Sequence, residues 1–164
     1  MSGIIGVSPD MRSGVVGAWP SGHVIQTIHK IDKTTGEINR TSTGSDAPSG
    51  SGLKTSISCT SGNIVLVNFY VHWLMNDPQY SFYATIYKGG SRLTHSTTQN
   101  VYEYVNTSGN QMTGEFSISV IDETAPTTST EYELWFWNGN TLNYNRLHAT
   151  DIHPAFITLT EIQQ

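Results

Sequence analysis

The last third of the chain constrains the fold most, because GEFSISVIDETAPTTSTEYELWFWNGN and AFITLTEIQQ contain three alternating strands with their connections. Over residues 114–121, Phe116, Ile118 and Val120 fall on one face and Glu115, Ser117 and Ser119 on the other, the period of a strand buried on one side. Residues 122–128 read as a turn. The Asp122-Glu123 start and the Ala125-Pro126 step bias the backbone away from helix, and the Thr/Ser run that follows has no apolar period to bury. From Glu131 the chain re-enters sheet, with Tyr132, Leu134 and Phe136 on one face and Glu133, Trp135 and Trp137 on the other. Two large aromatics therefore point away from the face that Leu134 and Phe136 bury. Either a second layer covers them, an opposing sheet or another subunit, or they form an exposed stacking platform for a sugar or a partner.

The remaining strand signals come at regular spacing. Residues 23–31 alternate, with His23, Ile25, Thr27, His29 and Ile31 as the more apolar side. Residues 33–52 read as a long polar loop, too rich in Gly, Ser and Thr to hold a core element. Residues 53–59 follow, then 63–74, whose IVLVNFYVHW is apolar on both faces and predicts a central strand covered on each side. The strands at 80–87 and 91–96 flank Lys88-Gly89-Gly90, and a Gly-Gly pair suits the positive φ angles of a tight hairpin. Segments 101–106, 112–122, 131–137, 142–147 and 155–162 complete the series, and no segment has helical period. The pattern predicts an all-β fold, an antiparallel β-sandwich of jelly-roll type over residues 23–164. Residues 1–22 have no strand or helix period, yet carry Ile4, Ile5, Val15, Val16 and Trp19. They read as an extended arm that orders against its own domain or another protein.

Composition narrows the partners. The 164 residues suffice for one domain, and such a domain buries roughly 68–70% of its unfolded surface. Only 13% of residues are charged, so Ser, Thr, Asn and Gly supply most of the water-facing positions. A net charge of -5, with eight Lys and Arg in no run or stripe, argues against nucleic acid as a partner. No window approaches the ~18 apolar residues of a membrane helix, and the start lacks the basic and apolar regions of a secretion signal. Cys59 is the only cysteine, so no intrachain disulfide forms. Its position continues the Leu53, Thr55, Ile57 face, which predicts a small buried apolar residue.

Tests for chemistry yield little. His23 and His29 lie six residues apart on one strand, roughly 20 Å, too far to share an ion. His148, Asp151 and His153 cluster in a loop without a recognised ligand spacing, and a single His repeated about a three-fold axis is a separate way to build a site. The segment from Gly50 to Thr55 lacks the Gly-Lys pair of a phosphate loop, and no nucleophile elbow or zinc-protease helix occurs. Glu115, Asp122, Glu123, Glu131 and Glu133 read as carboxylates on exposed faces. The expectation is a chain that is not an enzyme and holds no cofactor or metal.

From about residue 20 onward the order of elements resembles the small β-sandwich modules in structural proteins of tailed bacteriophages, especially marine ones. The resemblance rests on HVIQTIH before a Ser/Thr-rich loop, NIVLVNFYVHW, the glycine hairpin ATIYKGGSRL, FSISVIDETAPTTSTEYELWF, the Asn-rich LNYNRL and the closing AFITLTEI. It implies a virion surface protein, commonly trimeric, assembled in the host cytoplasm and carried on the capsid or on tail fibres. The short arm departs from long fibre proteins and favours a capsid-decoration, head-fibre or tail-associated component. On this reading the arm binds a major capsid or tail protein of the virion. Trp135, Trp137 and Tyr144 then meet a neighbouring subunit or a host-surface glycan.

Overall fold

The computed structural model describes residues 22–33, 36–41, 49–75, 81–93, 101–104, 112–138, 144–149 and 154–164. Eleven strands run through them: β1 (Val24–Asp32), β2 (Gly36–Thr41), β3 (Ser49–Ile57), β4 (Ile64–Met75), β5 (Ser81–Lys88), β6 (Ser91–Arg92), β7 (Val101–Tyr104), β8 (Met112–Asp122), β9 (Thr130–Asn138), β10 (Tyr144–Ala149) and β11 (Ala155–Ile162). No helix occurs among the described residues. Every pairing is antiparallel.

One edge of β4 pairs with β8 from Val65 to Met75. Its other edge is shared, with β11 over residues 64–70 and β10 over residues 72–75. The first sheet is therefore β1-β11-β4-β8 across its width, and β2 extends it beyond β10. The second sheet is β3-β9-β5, with the far edge of β5 shared between β7 and the hairpin strand β6. Leaving aside β2, β6 and β10, every step along the chain crosses between sheets except β5 to β7. That order is the double-sheet jelly roll predicted from the strand spacing.

Alternation builds the core. Val65, Val67, Phe69, Val71 and Trp73 of β4 face Ala84 and Ile86 of β5 and Tyr132, Leu134 and Phe136 of β9, all buried. Fully burying side chains of this size contributes about 1.5–3 kcal/mol each, largely offset by ordering the chain. The glycine hairpin forms as predicted: Gly89 and Gly90 have φ of 55° and 82° between β5 and β6. Cys59 is buried in the core cluster, also as predicted.

Three readings are corrected. The stretch read as a polar loop contains β2 and the first residues of β3, because ladder hydrogen bonds need no apolar side chains. Here β3 shifts register between Gly50 and Lys54, and a Cβ at Gly50 would lie 2.4 Å from the Glu133 carboxylate, so a larger residue there would have to displace that side chain. β4 is central within its sheet but covered on one face only: Ile64, Leu66, Asn68, Tyr70 and His72 are half-buried. On β1 the odd-numbered side faces outward, leaving Ile25 and Ile31 exposed, while Ile28 packs on the core and Asp32 is buried. The register with β11 decides this, because Ile28 pairs with inward-facing Leu159.

Candidate functional site

The outward aromatics of β9 find partners within their own sheet. Trp137 lies opposite Tyr83 of β5 and stacks on it, ring centroids 5.2 Å apart and 8° from parallel. Trp135 stacks on its diagonal neighbour Tyr87 at 3.9 Å and 11°, within the reach of cross-strand aromatic pairs. The Arg92 guanidinium sits over the Trp137 ring, 5.6 Å from its centroid. Trp135 Nε1 donates to Glu133 Oε2 at 2.9 Å, and the Gly52 amide donates to Glu133 Oε1, so the bulge of β3 meets this face. Trp137 is buried and Trp135 half-buried, while Thr85 beneath them is fully buried. The two tryptophans point outward as predicted, but each has a ring face occupied by tyrosine.

Tyr144 does not join them at the level of the backbone. It lies on β10, in the first sheet, opposite Thr41 of β2. Ile4, Ile5, Val15, Val16 and Trp19 lie outside the described residues, as do Asp151 and His153.

The outer face of the first sheet is more mixed. Tyr70 stacks on Phe156 at 5.0 Å and donates its hydroxyl hydrogen bond to Glu115. That bond, with burial and the negative charge of Glu115 after it, raises the Tyr70 phenol above its ordinary value. Glu115 also meets His72, with Oε1 3.1 Å from Nε2. His29 contacts Phe156, and its Nδ1 lies 2.8 Å from Thr158 Oγ1. Ile31 is exposed opposite Phe156, and Val24, Ile25 and Ile121 are exposed toward the other end of the same sheet.

Besides Asp32, two carboxylates are buried: Asp122, expected on an exposed face, and Glu161, not singled out by the sequence. Asp122 takes a hydrogen bond from Tyr132 at 2.5 Å, an ion pair with Lys88 at 2.7 Å, and bonds from the Thr124 amide and hydroxyl at 3.0 and 2.8 Å. Burial pushes its carboxyl upward, but the bonds from Lys88, Tyr132 and Thr124 together outweigh burial and hold it below its ordinary value. Glu161 accepts from Gln26 Nε2 at 2.6 Å, the Thr60 amide at 2.7 Å and Asn63 Nδ2 at 2.5 Å. The same contest between burial and hydrogen bonds leaves it below its ordinary value too. Parity gave the signal that finds both: Asp122 continues the Phe116, Ile118, Val120 series, and Glu161 continues Ala155, Ile157, Leu159.

This arrangement fastens a fold and presents a surface. Burial, followed by the charges of Glu161 and Asp122, pushes the Cys59 thiol up to about 11, so it stays protonated at neutral pH. Among the described side chains no three His, Cys, Asp or Glu are placed to hold a metal ion.

No family model matches the sequence, and no curated protein matches it. A solved structure of infectious bursal disease virus, Gx strain, matches at a TM-score of 0.41 and 12% identity, over 97% of this chain and 44% of that one. The chain thus spans under half the length of that neighbour, and a likeness of this degree carries no argument.

Proposed function

We propose that this chain is a structural protein of a virus particle, of the tailed-phage kind its sequence resembles, and that it acts without catalysing a reaction. The jelly roll is the displayed part, on the capsid as decoration or head fibre, and residues 1–22 anchor it to a capsid or tail protein. Three copies assemble around one another. The observation that carries this reading is the jelly-roll strand order combined with an outer aromatic face whose rings are already stacked on one another. Such a face is stiff and large, and suits permanent packing better than reversible capture of a ligand. The test is particle incorporation and sedimentation. A trimer in solution, and loss of incorporation on deleting residues 1–20, are expected; a monomer that incorporates normally without those residues overturns the proposal.

A second reading draws on Trp135, which remains half-buried beside the Glu133 carboxylate. A ring and a carboxylate together suit a sugar, and the chain would then be a receptor-binding head for host-surface glycan. A glycan array read with the native chain, Trp135→Ala and Trp137→Ala separates the two. Binding lost in both variants supports the glycan head, and no binding by the native chain leaves the structural role.

A further inference from the structure

The first sheet carries every exposed large apolar side chain among the described residues: Val24, Ile25 and Ile31 on β1 and Ile121 on β8. At the end where β4 begins, Val24 is the Cα partner of Ile162, Ile162 of Ile64, and Leu66 of Ile121. These side chains point outward, because Glu161, Val65 and Asp122 beside them are buried. With Thr27 and Thr160 in the same rows they make an uncharged strip from one margin of the sheet to the other, about 14 Å over three strand spacings. The strip is most open at its two ends. Ile121 is 56% exposed and Val24 50%, while Ile64, Leu66 and Ile162 between them are half-buried.

The strands at those ends are the margins of the sheet. Among the described residues β1 pairs with β11 and β8 with β4, and neither has a second neighbour in the sheet. β8 pairs through 11 residues without a register shift and holds no Lys, Arg or Pro, devices that keep a sheet edge from meeting another. Three antiparallel steps separate β1 from β8, so the two strands run in opposite directions, the sense in which they would lie side by side across a head-to-tail contact.

We propose that copies of this chain meet head to tail at this end of the first sheet, the β8 margin of one against the start of β1 of the next, with Ile121 packed on Val24 and Ile25. The inference rests on the assembly of three copies proposed above and names the surfaces that close it. Both halves of the contact lie on one chain, at the same end and on opposite margins, so a second copy supplies what each half lacks. A two-fold pair sets like against like, whereas head-to-tail contacts generate a ring when the rotation closes. Each copy also carries a formal charge of -5, and the uncharged strip is where copies approach with least repulsion.

Sedimentation of the full chain separates the outcomes. A native chain that sediments as a monomer overturns the trimer and this inference with it. A native trimer left intact by both Ile121→Asp and Val24→Lys overturns this inference alone. The expected result is association about tenfold weaker or more in each variant. Combining the two in one chain is expected to restore it, because the opposite charges, on opposite margins of each copy, meet only between copies; dissociation that the combination does not reverse overturns the head-to-tail pairing. Circular dichroism checks that each variant is folded. Should either not fold, cross-linking decides, with Cys59 buried and out of reach. Ile121→Cys and Val24→Cys chains, co-expressed and treated with a short bifunctional maleimide, are expected to give linked pairs only together. Linkage in Ile121→Cys alone, or none in the mixture, overturns the proposal.

Discussion

Asp122 and Glu161 occupy one row at the end of the sandwich where β4 begins, each the Cα partner of Val65 and each turned inward, yet they are held in different ways. Asp122 is held by a cation and a phenol reaching over from the second sheet, Lys88 of β5 and Tyr132 of β9, so it fastens sheet to sheet. Among the described residues Glu161 meets neutral donors: Gln26 from the edge strand β1, and Thr60 and Asn63 from the β3–β4 connection. One buried charge is balanced by a charge, the other by aimed dipoles. The lesson is that a sandwich can carry anions inside provided each closes a corner, and that the two solutions fail differently.

The largest expected effect lies at the ion pair. Asp122→Ala leaves the Lys88 ammonium without its counter-charge and is expected to cost about 3–5 kcal/mol. Glu161→Ala leaves neutral donors without their acceptor, about 1–3 kcal/mol. Denaturant unfolding of both variants measures the difference, and an equal or reversed order breaks the comparison. Next in size, Asp122→Asn combined with Lys88→Met is expected to be less damaging than Asp122→Asn alone, a coupling of about 1 kcal/mol or more in a double-mutant cycle.

Acid gives a third test. Both carboxyls sit below their unfolded values, about 3.9 for Asp and 4.3 for Glu, so the stability they contribute is complete above those values and is lost as pH falls through the folded ones. Lys88→Met removes the strongest influence opposing burial at Asp122, so its acid loss should begin at higher pH than in the native chain. Unfolding midpoints followed from about pH 6 to pH 2 report this. The smallest effect is on Cys59, whose thiol is raised first by burial and then by Glu161 ahead of Asp122. Glu161→Gln and Asp122→Asn each remove a charge that raises it, so each is expected to speed alkylation of Cys59 at mildly alkaline pH over the native chain.

Much of this is legible in the sequence. Alternation in residues 114–121 and 131–137 predicts both strands and their inward faces, and Gly89-Gly90 predicts the hairpin, because these depend on chain geometry within a few residues. Asp122 and Glu161 were legible through parity alone, yet a carboxylate invites the assumption of solvent. Other features needed the fold. Tyr83 and Tyr87 reach Trp137 and Trp135 only because β5 runs beside β9. The burial of Ile28 rather than Ile31 depends on the register with β11.

Gln163 meets the start of β1 through two backbone hydrogen bonds, its carbonyl accepting from the Gly22 amide and its amide donating to the His23 carbonyl, and this bears on how the domain takes load. Traction arriving through residues 1–21 enters at the end of edge strand β1, beside the last residues of β11. Pulled against the C-terminus, this ladder would part like a zipper, one pair at a time from Gly22. Pulled against the far end of the sandwich, β1 would slide along β11 with all its bonds strained together. The direction of a tether would thus set its breaking force with no change in sequence.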